Sequence, residues 1–444
     1  LHSPVMPPAP AVFMSPSLAL TLAFAVALAL GLLLKLWLAS RQVRHVARHR
    51  ETVPLPFDRH ITLASHQKAA DYTVAKARFG LLETALGMAV LLGWTLLGGL
   101  DLLNQVLLDA LGGGMVQQLA LLAAFALVSG LIDLPATLYQ TFGIEQRFGF
   151  NQITPRLWLM DLCKSTLVGA LIGLPVAAAM LWLMGAAGDL WWLCAWALWM
   201  GLNLLLMVVY PTLIAPLFNR FQPLQDEALK ARVTALMQRC GFAAKGLFVM
   251  DGSRRSAHAN AYFTGFGAAK RVVFYDTLLR QLSAGEVEAV LAHELGHFKH
   301  RHILKRMAAM FALSLAGFAL LGWLSTQLWF YTGLGVRPSL SALVPGVPVV
   351  PNDALALLLF LLVVPVFTVF LAPLFAYFSR RDEFQADAYA MAQADGADLA
   401  AALLKLYQDN ASTLTPDPVY VKFYYSHPPA SERLARMPLP APTP

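Results

Sequence analysis

The residues best equipped for chemistry fall in one stretch, Ser283 to His302, which reads S-A-G-E-V-E-A-V-L-A-H-E-L-G-H-F-K-H-R-H. Ser283 followed by Glu286 forms a capping box, which starts a helix. On that helix His293 and His297 stand four apart, on one face and one turn from each other. Two imidazoles at this spacing grip a single metal ion, with Glu294 beside it as general base. Zinc suits such a donor set. A solvated His/Glu helix face near a membrane would show the same letters and do no chemistry, so the reading needs a third ligand, because catalytic zinc takes three protein ligands and a water. The run S-R-R-D-E-F-Q-A-D-A from Ser379 offers Glu383 and Asp387, again four apart. Glu383 is placed to ligate and Asp387 to orient a ligand histidine from behind. Asp382 falls elsewhere on the helix. Spacing alone leaves open an acidic face paired with Arg380 and Arg381.

The elements that must carry these residues are set by composition. Apolar residues make up 58% of the 444 and charged ones 13%, the balance of a chain that crosses a membrane many times. Spans are predicted at about 17–38, 79–103, 116–140, 157–185, 190–218, 304–330 and 355–379, each long enough to cross. The first is followed by Arg41, Arg44, Arg48 and Arg50 and by no convincing cleavage site, so it reads as an anchor rather than a removed signal peptide. Segment 39–78 ends in H-Q-K-A-A-D-Y-T-V-A-K-A-R-F, a helical pattern running directly into the second span.

The net charge of +7 does not indicate nucleic acid, because the basic residues lie between apolar spans. They set topology and face anionic lipid. Loops near 104–115, 186–189 and 331–354 share one basic residue, Arg337, whereas 39–78, 141–156, 219–303 and 380–444 hold nearly all the rest. With seven spans these sets fall on opposite sides, which puts the N-terminus outside and the H-E-x-x-H helix in the cytosol. Glu83, Asp133, Asp161, Lys164 and Asn203 lie within spans and should face protein or water rather than lipid. Cys163, Cys194 and Cys240 follow no ligand spacing and read as packing residues without a disulfide framework.

The domain plan is a tail over 1–16, five membrane helices over 17–218 with a cytosolic loop at 39–78, a first part of the zinc domain over 219–303, two helices over 304–379, and its second part with a Pro-rich tail over 380–444. In the first part, Asp226 to Cys240 is helical and Gly246 to Met250 a strand. Residues 258–275 alternate enough for two more strands around Thr264-Gly265, after a turn at Asp251-Gly252. Residues 380–410 form a further soluble helix. No internal repeat is visible.

Six motifs together resemble the type 1 CAAX prenyl protease family of membrane zinc metalloendopeptidases: H-E-L-G-H, S-R-R-D-E-F-Q-A-D-A, H-A-N-A-Y-F-T-G-F, F-G-F-N-Q, P-T-L-I-A-P-L-F-N-R-F and S-H-P-P-A-S-E-R. The resemblance extends from about residue 41 to 436. Asp382 departs from the aromatic residue common in the family. The resemblance implies a mainly α, polytopic fold of seven transmembrane helices enclosing a water-filled chamber, with a gluzincin-like cytosolic zinc domain carrying a small β-sheet. It implies Zn2+ on His293, His297 and Glu383, with Glu294 as base and Asp387 behind the ligands. His427 and Arg433 would reach the cleaved bond and Asn260 would hold the substrate backbone. The strand near Arg271 to Tyr275 could take an extended peptide by strand addition.

The implied substrate is a lipidated peptide or protein of C-a-a-X type, cut near its C-terminus, and the partners are membrane lipids and no nucleic acid. The Ala/Leu-rich spans lean to a bacterial inner membrane, with the endoplasmic reticulum or nuclear envelope as the eukaryotic counterpart. A membrane-protein quality-control protease would share the chemistry on fewer spans. A transporter with a structural zinc would have no use for Glu294.

Overall fold

The computed structural model describes residues 14–243, 246–264, 271–341 and 350–438. The Thr264-Gly265 turn and the last six residues of the tail lie largely or wholly outside these. The membrane part holds α1 (Pro16–Arg48), α2 (Leu63–Trp94), α3 (Gly99–Leu111), α4 (Met115–Leu138), α5 (Pro155–Ala186), α6 (Trp191–Val209) and the short α7 (Ala215–Phe218). Then come β1 (Phe221–Pro223), α8 (Glu227–Arg239), β2 (Gly246–Met250), β3 (Ala261–Thr264), β4 (Arg271–Tyr275), α9 (Asp276–Gln281) and α10 (Ala284–Lys299). The chain returns to apolar helices α11 (His302–Leu324), α12 (Leu328–Thr332) and α13 (Asp353–Thr368), and ends with α14 (Ala372–Gln393), α15 (Gly396–Asp409), α16 (Pro418–Tyr424) and α17 (Ala430–Leu434).

Seven of the described helical stretches are long and apolar enough to cross a membrane. Their starts carry caps written in the sequence: Ser15, Thr62 and Thr154 each accept a backbone N–H of the first turn, and Pro16 and Pro155 open the helix without losing a needed donor. α2 does start in the polar segment, but it stops at Trp94 rather than at 103. Gly98, at φ 79°, turns the chain into the separate α3. The seventh span also overruns its expected end. A single 3-10 turn at Val369–Leu371 joins α13 to α14, and α14 continues to Gln393. The expected boundary at 379/380 therefore falls inside one helix, and the expected helix over 380–410 is two, broken before the N-cap Asp395.

The bundle is packed at one end only. Its buried core gathers Phe24 and Leu28 of α1, Leu100, Leu181, Leu321 and Leu359, with Leu334 and Val336 of the loop after α12. These lie toward the ends of the helices remote from the β-sheet. Arg337 closes this end, giving its backbone N–H and Nε to Asp101 at 2.9 and 2.8 Å. Elsewhere the spans are sparsely covered: only 6–39% of the most apolar stretch of each is buried, too little for a solid bundle. Two cavities of about 1230 and 490 Å³ share Lys35, Gly80 and Thr84 in their walls, and the smaller is also lined by Glu83. Of the remaining polar groups of the spans, Asp133 is exposed on α4 and three others find protein partners. Asp161 binds Arg255 at 2.8 and 3.1 Å, Lys164 donates to the Leu217 carbonyl at 3.0 Å, and Asn203 donates to the Trp199 carbonyl at 2.7 Å.

The soluble part is a four-stranded mixed sheet in the order β1-β2-β4-β3, with β2 and β4 parallel and both outer pairs antiparallel. Its core joins Val233 and Leu236 of α8, Val272 and Phe274 of β4, Leu291 and Leu295 of α10, and Leu399 and Leu403 of α15. β4 is an inner strand with a neighbour on each side, so it cannot accept a peptide by strand addition as the sequence suggested. The edge next to it is β3. The F-G-F-N-Q loop ties this part to the membrane helices. Phe150 packs on Tyr72 and stacks on His258, and Gln152 takes its N–H to the Arg255 carbonyl at 3.1 Å.

Candidate metal and active site

The capping box at Ser283 and Glu286 forms as expected and starts α10, which carries His293, Glu294 and His297. α10 crosses α14, which carries Glu383 and Asp387. Gly296 allows the crossing: a Cβ there would lie 2.8 Å from Ala386 Cα and 3.0 Å from its carbonyl oxygen. The glycine inside H-E-L-G-H is thus the point where two backbones touch.

His293, His297 and Glu383 offer ligand atoms that all lie within 4.8 Å of one another. The two Nε2 atoms are 3.3 Å apart, and each is 3.3 Å from one Glu383 oxygen. Zinc bonds of about 2.0–2.1 Å in a tetrahedron separate neighbouring ligand atoms by about 3.3 Å. Glu383 is buried, and its Oε2 has no hydrogen-bond partner among the described residues although His293 is near. A buried carboxylate oxygen left unbonded is costly unless a cation meets it. The donor set therefore fits a zinc ion.

The bonding behind each ligand fixes its tautomer. His293 Nδ1 donates to Asp387 Oδ1 at 2.8 Å, which leaves the Nε2 lone pair facing His297 and Glu383 and free to ligate. His302 Nε2 donates to Gln385 Oε1 at 3.0 Å, so its Nδ1 accepts from His297 Nδ1 at 3.0 Å. His297 is thereby held with Nε2 free to ligate. His302 is fully enclosed. Arg301, in the left-handed region at φ 56°, bends the chain between α10 and α11 and brings His302 back under His297.

Arg433 is buried and its fork is committed to Asp387, with Nε at 2.8 Å from Oδ2 and Nη2 bound to Oδ1. Burial works against its charge, but Asp387 outweighs this and raises its pKa. Its main contact is therefore the carboxylate behind His293 rather than an open position at the cleaved bond. His427 is freer. Its Nδ1 bonds Ser426 Oγ at 2.9 Å, its Nε2 lies 3.4 Å from Glu383 Oε1, and its side chain is 61% exposed toward the larger cavity. Glu294 lies in electrostatic reach of His293, His297, Glu383 and Arg433, and burial raises its carboxyl pKa above the ordinary value. Asn260, the residue before β3, lines the same cavity as His427 and Arg433.

The structure thus gathers the sequence-predicted metal ligands with Asp387, Arg433 and His427, and puts Asn260 on a shared wall. Sequence reasoning missed His302, Gln385 and Gly296. It also missed Asn410, whose Oδ1 takes the Ala259 N–H at 3.2 Å and meets His258 Nδ1 at 3.1 Å, fixing the entry to β3. The H-F-K-H-R-H run carried a signal for His302, a further histidine one helical turn past the motif.

A candidate metal triad beside a cavity, in a chain with seven helices long and apolar enough to cross a membrane, is the arrangement of a membrane metallopeptidase. Comparison with known proteins narrows this. Residues 42–220 match the model described as the CAAX prenyl protease N-terminal domain with five membrane helices, and residues 223–439 match peptidase family M48. A CAAX prenyl protease 1 homolog of Oryza sativa is 33% identical, over 91% of this chain and 94% of its own. CAAX prenyl protease 1 of Saccharomyces cerevisiae is 32% identical over 90% and 91%. The crystal structure of S. mikatae Ste24p superposes with a TM-score of 0.86 at 30% identity, covering 95% of this chain and 99% of that one. The chain belongs to peptidase family M48, whose members are zinc metallopeptidases, and it pairs the M48 domain with the membrane domain of the CAAX prenyl proteases.

Proposed function

We propose that this protein is a zinc endopeptidase that cuts prenylated C-a-a-X-type chains near their C-terminus, on the lipidated-cysteine side of the last residues. The observation that carries the reading is the 3.3 Å triangle of His293, His297 and Glu383 beside a cavity that continues between apolar helices. A quality-control protease on fewer spans fits less well, because the family match includes the N-terminal membrane domain.

His293, His297 and Glu383 would hold a zinc ion, which when bound would lower the pKa of a neighbouring water toward about 7 and polarise a carbonyl. Glu294 takes the proton of the attacking water and delivers it to the leaving amine as the C–N bond breaks, yielding a carboxylate and a new amino terminus. His427, exposed on the cavity wall, donates to the oxyanion that develops on the carbonyl. Arg433 acts through Asp387, which holds His293, and adds positive charge nearby. Asn260 and the free edge of β3 hold the peptide extended. The lipid tail rests on the apolar helix faces of the smaller cavity. The basic residues gathered on the catalytic side support an orientation with this side in the cytosol of a bacterial inner membrane, or of the endoplasmic reticulum or nuclear envelope.

The test is Glu294→Gln with a farnesylated peptide and its unprenylated twin as substrates. The variant should keep its zinc and lose at least about 10²-fold in turnover. Undiminished cleavage would remove Glu294 from the mechanism, and equal rates on both peptides would remove the lipid requirement.

A further inference from the structure

A third concavity, of about 780 Å³, lies on the face of α14 away from the candidate metal ligands, between α1, α14, α16 with the segment before it, and α17. Its walls carry His45, His49, Arg380, Arg381, Lys422 and Arg436 against one acid, Glu432. These come from four separate parts of the chain, so the charge is gathered by the fold and is not one basic loop. Arg380 is spent on the Val421 and Tyr425 carbonyls. Arg381, Lys422 and Arg436 have no ion pair among the described residues. The Arg436 guanidinium lies 3.6 Å from the Phe384 ring centroid, which fixes it in place while leaving its edge N–H groups to donate. Thr415 Oγ1, buried in the same wall, has no hydrogen-bond partner among the described residues.

The position of the pocket selects the ligand. Both helices that frame it leave apolar spans at this level. α14 passes from Phe375, Tyr377 and Phe378, all about half exposed, directly into Arg380 and Arg381. α1 leaves through Trp37, over whose ring Arg41 lies at 5.2 Å. Exposed aromatics followed by basic residues mark the headgroup level of a bilayer. An acyl chain can lie along the aromatic face while its phosphate meets the unpaired donors. We propose that this pocket binds the phosphodiester headgroup of an anionic phospholipid. The bound lipid braces the helix that supplies Glu383 and Asp387.

The experiment uses the full-length protein in phosphatidylcholine nanodiscs with 0–30% phosphatidylglycerol, and reads retained lipid by native mass spectrometry and affinity by quenching with brominated phosphatidylglycerol. The wild type should retain phosphatidylglycerol over phosphatidylcholine, and the double variant Arg381→Glu, Lys422→Glu should bind it at least tenfold more weakly. Zinc content monitors folding, and the milder pair Lys422→Gln, Arg436→Gln, expected to lose several-fold, replaces the reversal if that falls short. Equal retention in both variants would overturn the proposal, as would equal retention of phosphatidylcholine. Full competition by soluble glycerophosphate at the affinity of the lipid would also overturn it and show a site for free phosphate.

Discussion

Gly296→Ala tests the site through its scaffold. The added Cβ would lie 2.8 Å from Ala386 Cα, 3.0 Å from the Ala386 carbonyl oxygen and 3.2 Å from Tyr389 Cβ. Carbon atoms settle at about 3.5–4.0 Å, so α10 and α14 must part by about 0.7–1.2 Å. The obstructing atoms are backbone and Cβ, which cannot swing away. Glu383 lies within one turn of Ala386, so its carboxylate moves with the helix while the histidines stay on α10. Metal–ligand distances tolerate only about 0.2 Å, and the 3.3 Å triangle would open well beyond that. Zinc affinity should fall by about 10–100-fold, turnover by about 10²-fold, and stability by about 1–3 kcal/mol. Chelator competition reads the first, peptide cleavage the second and thermal unfolding the third. Gly285→Ala on the same helix is the control, because its Cβ would meet mainly the Asp398 carboxylate, the free end of a flexible side chain. If Gly296→Ala bound zinc and turned over like the wild type while Gly285→Ala did the same, the claim that this contact sets ligand geometry would be wrong.

Other perturbations separate the remaining parts. His302→Phe removes the acceptor that orients His297 and should lower zinc affinity by about 10–100-fold, read by chelator competition. Asp387→Ala leaves the buried Arg433 charge unpaired and should cost about 3–5 kcal/mol, whereas Asp387→Ala with Arg433→Met should recover much of that stability without recovering zinc affinity. Arg255→Ala breaks the pair with Asp161 that ties the catalytic part to α5 and should lower the melting temperature with zinc affinity unchanged. Chelation should destabilise the protein, and zinc restored to about 100 times its dissociation constant should add about 2.7 kcal/mol, seen as a rise in melting temperature.

The helices and the candidate ligand set were legible because local patterns specify them. Ser283 and Glu286 sit three apart, His293 and His297 four apart, and Glu383 and Asp387 four apart, each spacing fixing a helical face without knowledge of the rest of the chain. Seven spans were countable because an apolar run must match the bilayer. What stayed hidden depends on three-dimensional neighbours. The interruption after Trp94 hangs on Gly98 adopting a positive φ, and the break before His302 hangs on Arg301 doing so, a choice that a non-glycine residue does not announce. Strand order was also invisible. Arg271–Tyr275 carries no local mark of its neighbours, and the crossover from β2 places it inside the sheet and leaves β3 outside. The partner of Arg433 was also hidden, since only the fold reveals that Asp387 occupies its fork.

The near-continuous run from α13 through α14 has a consequence for where cutting can occur. Apolar sequence ends at Phe378, and Glu383 follows five residues later on the same helix, about 7–8 Å further along its axis. The reaction centre is therefore mounted on a rigid post of fixed height rather than on a tethered head that can rise or tilt. For the proposed lipidated substrate such a mounting would work as a ruler: a tail anchored in the hydrocarbon would present only the bonds within about a nanometre of its anchor, and register would follow from distance before any side chain is read.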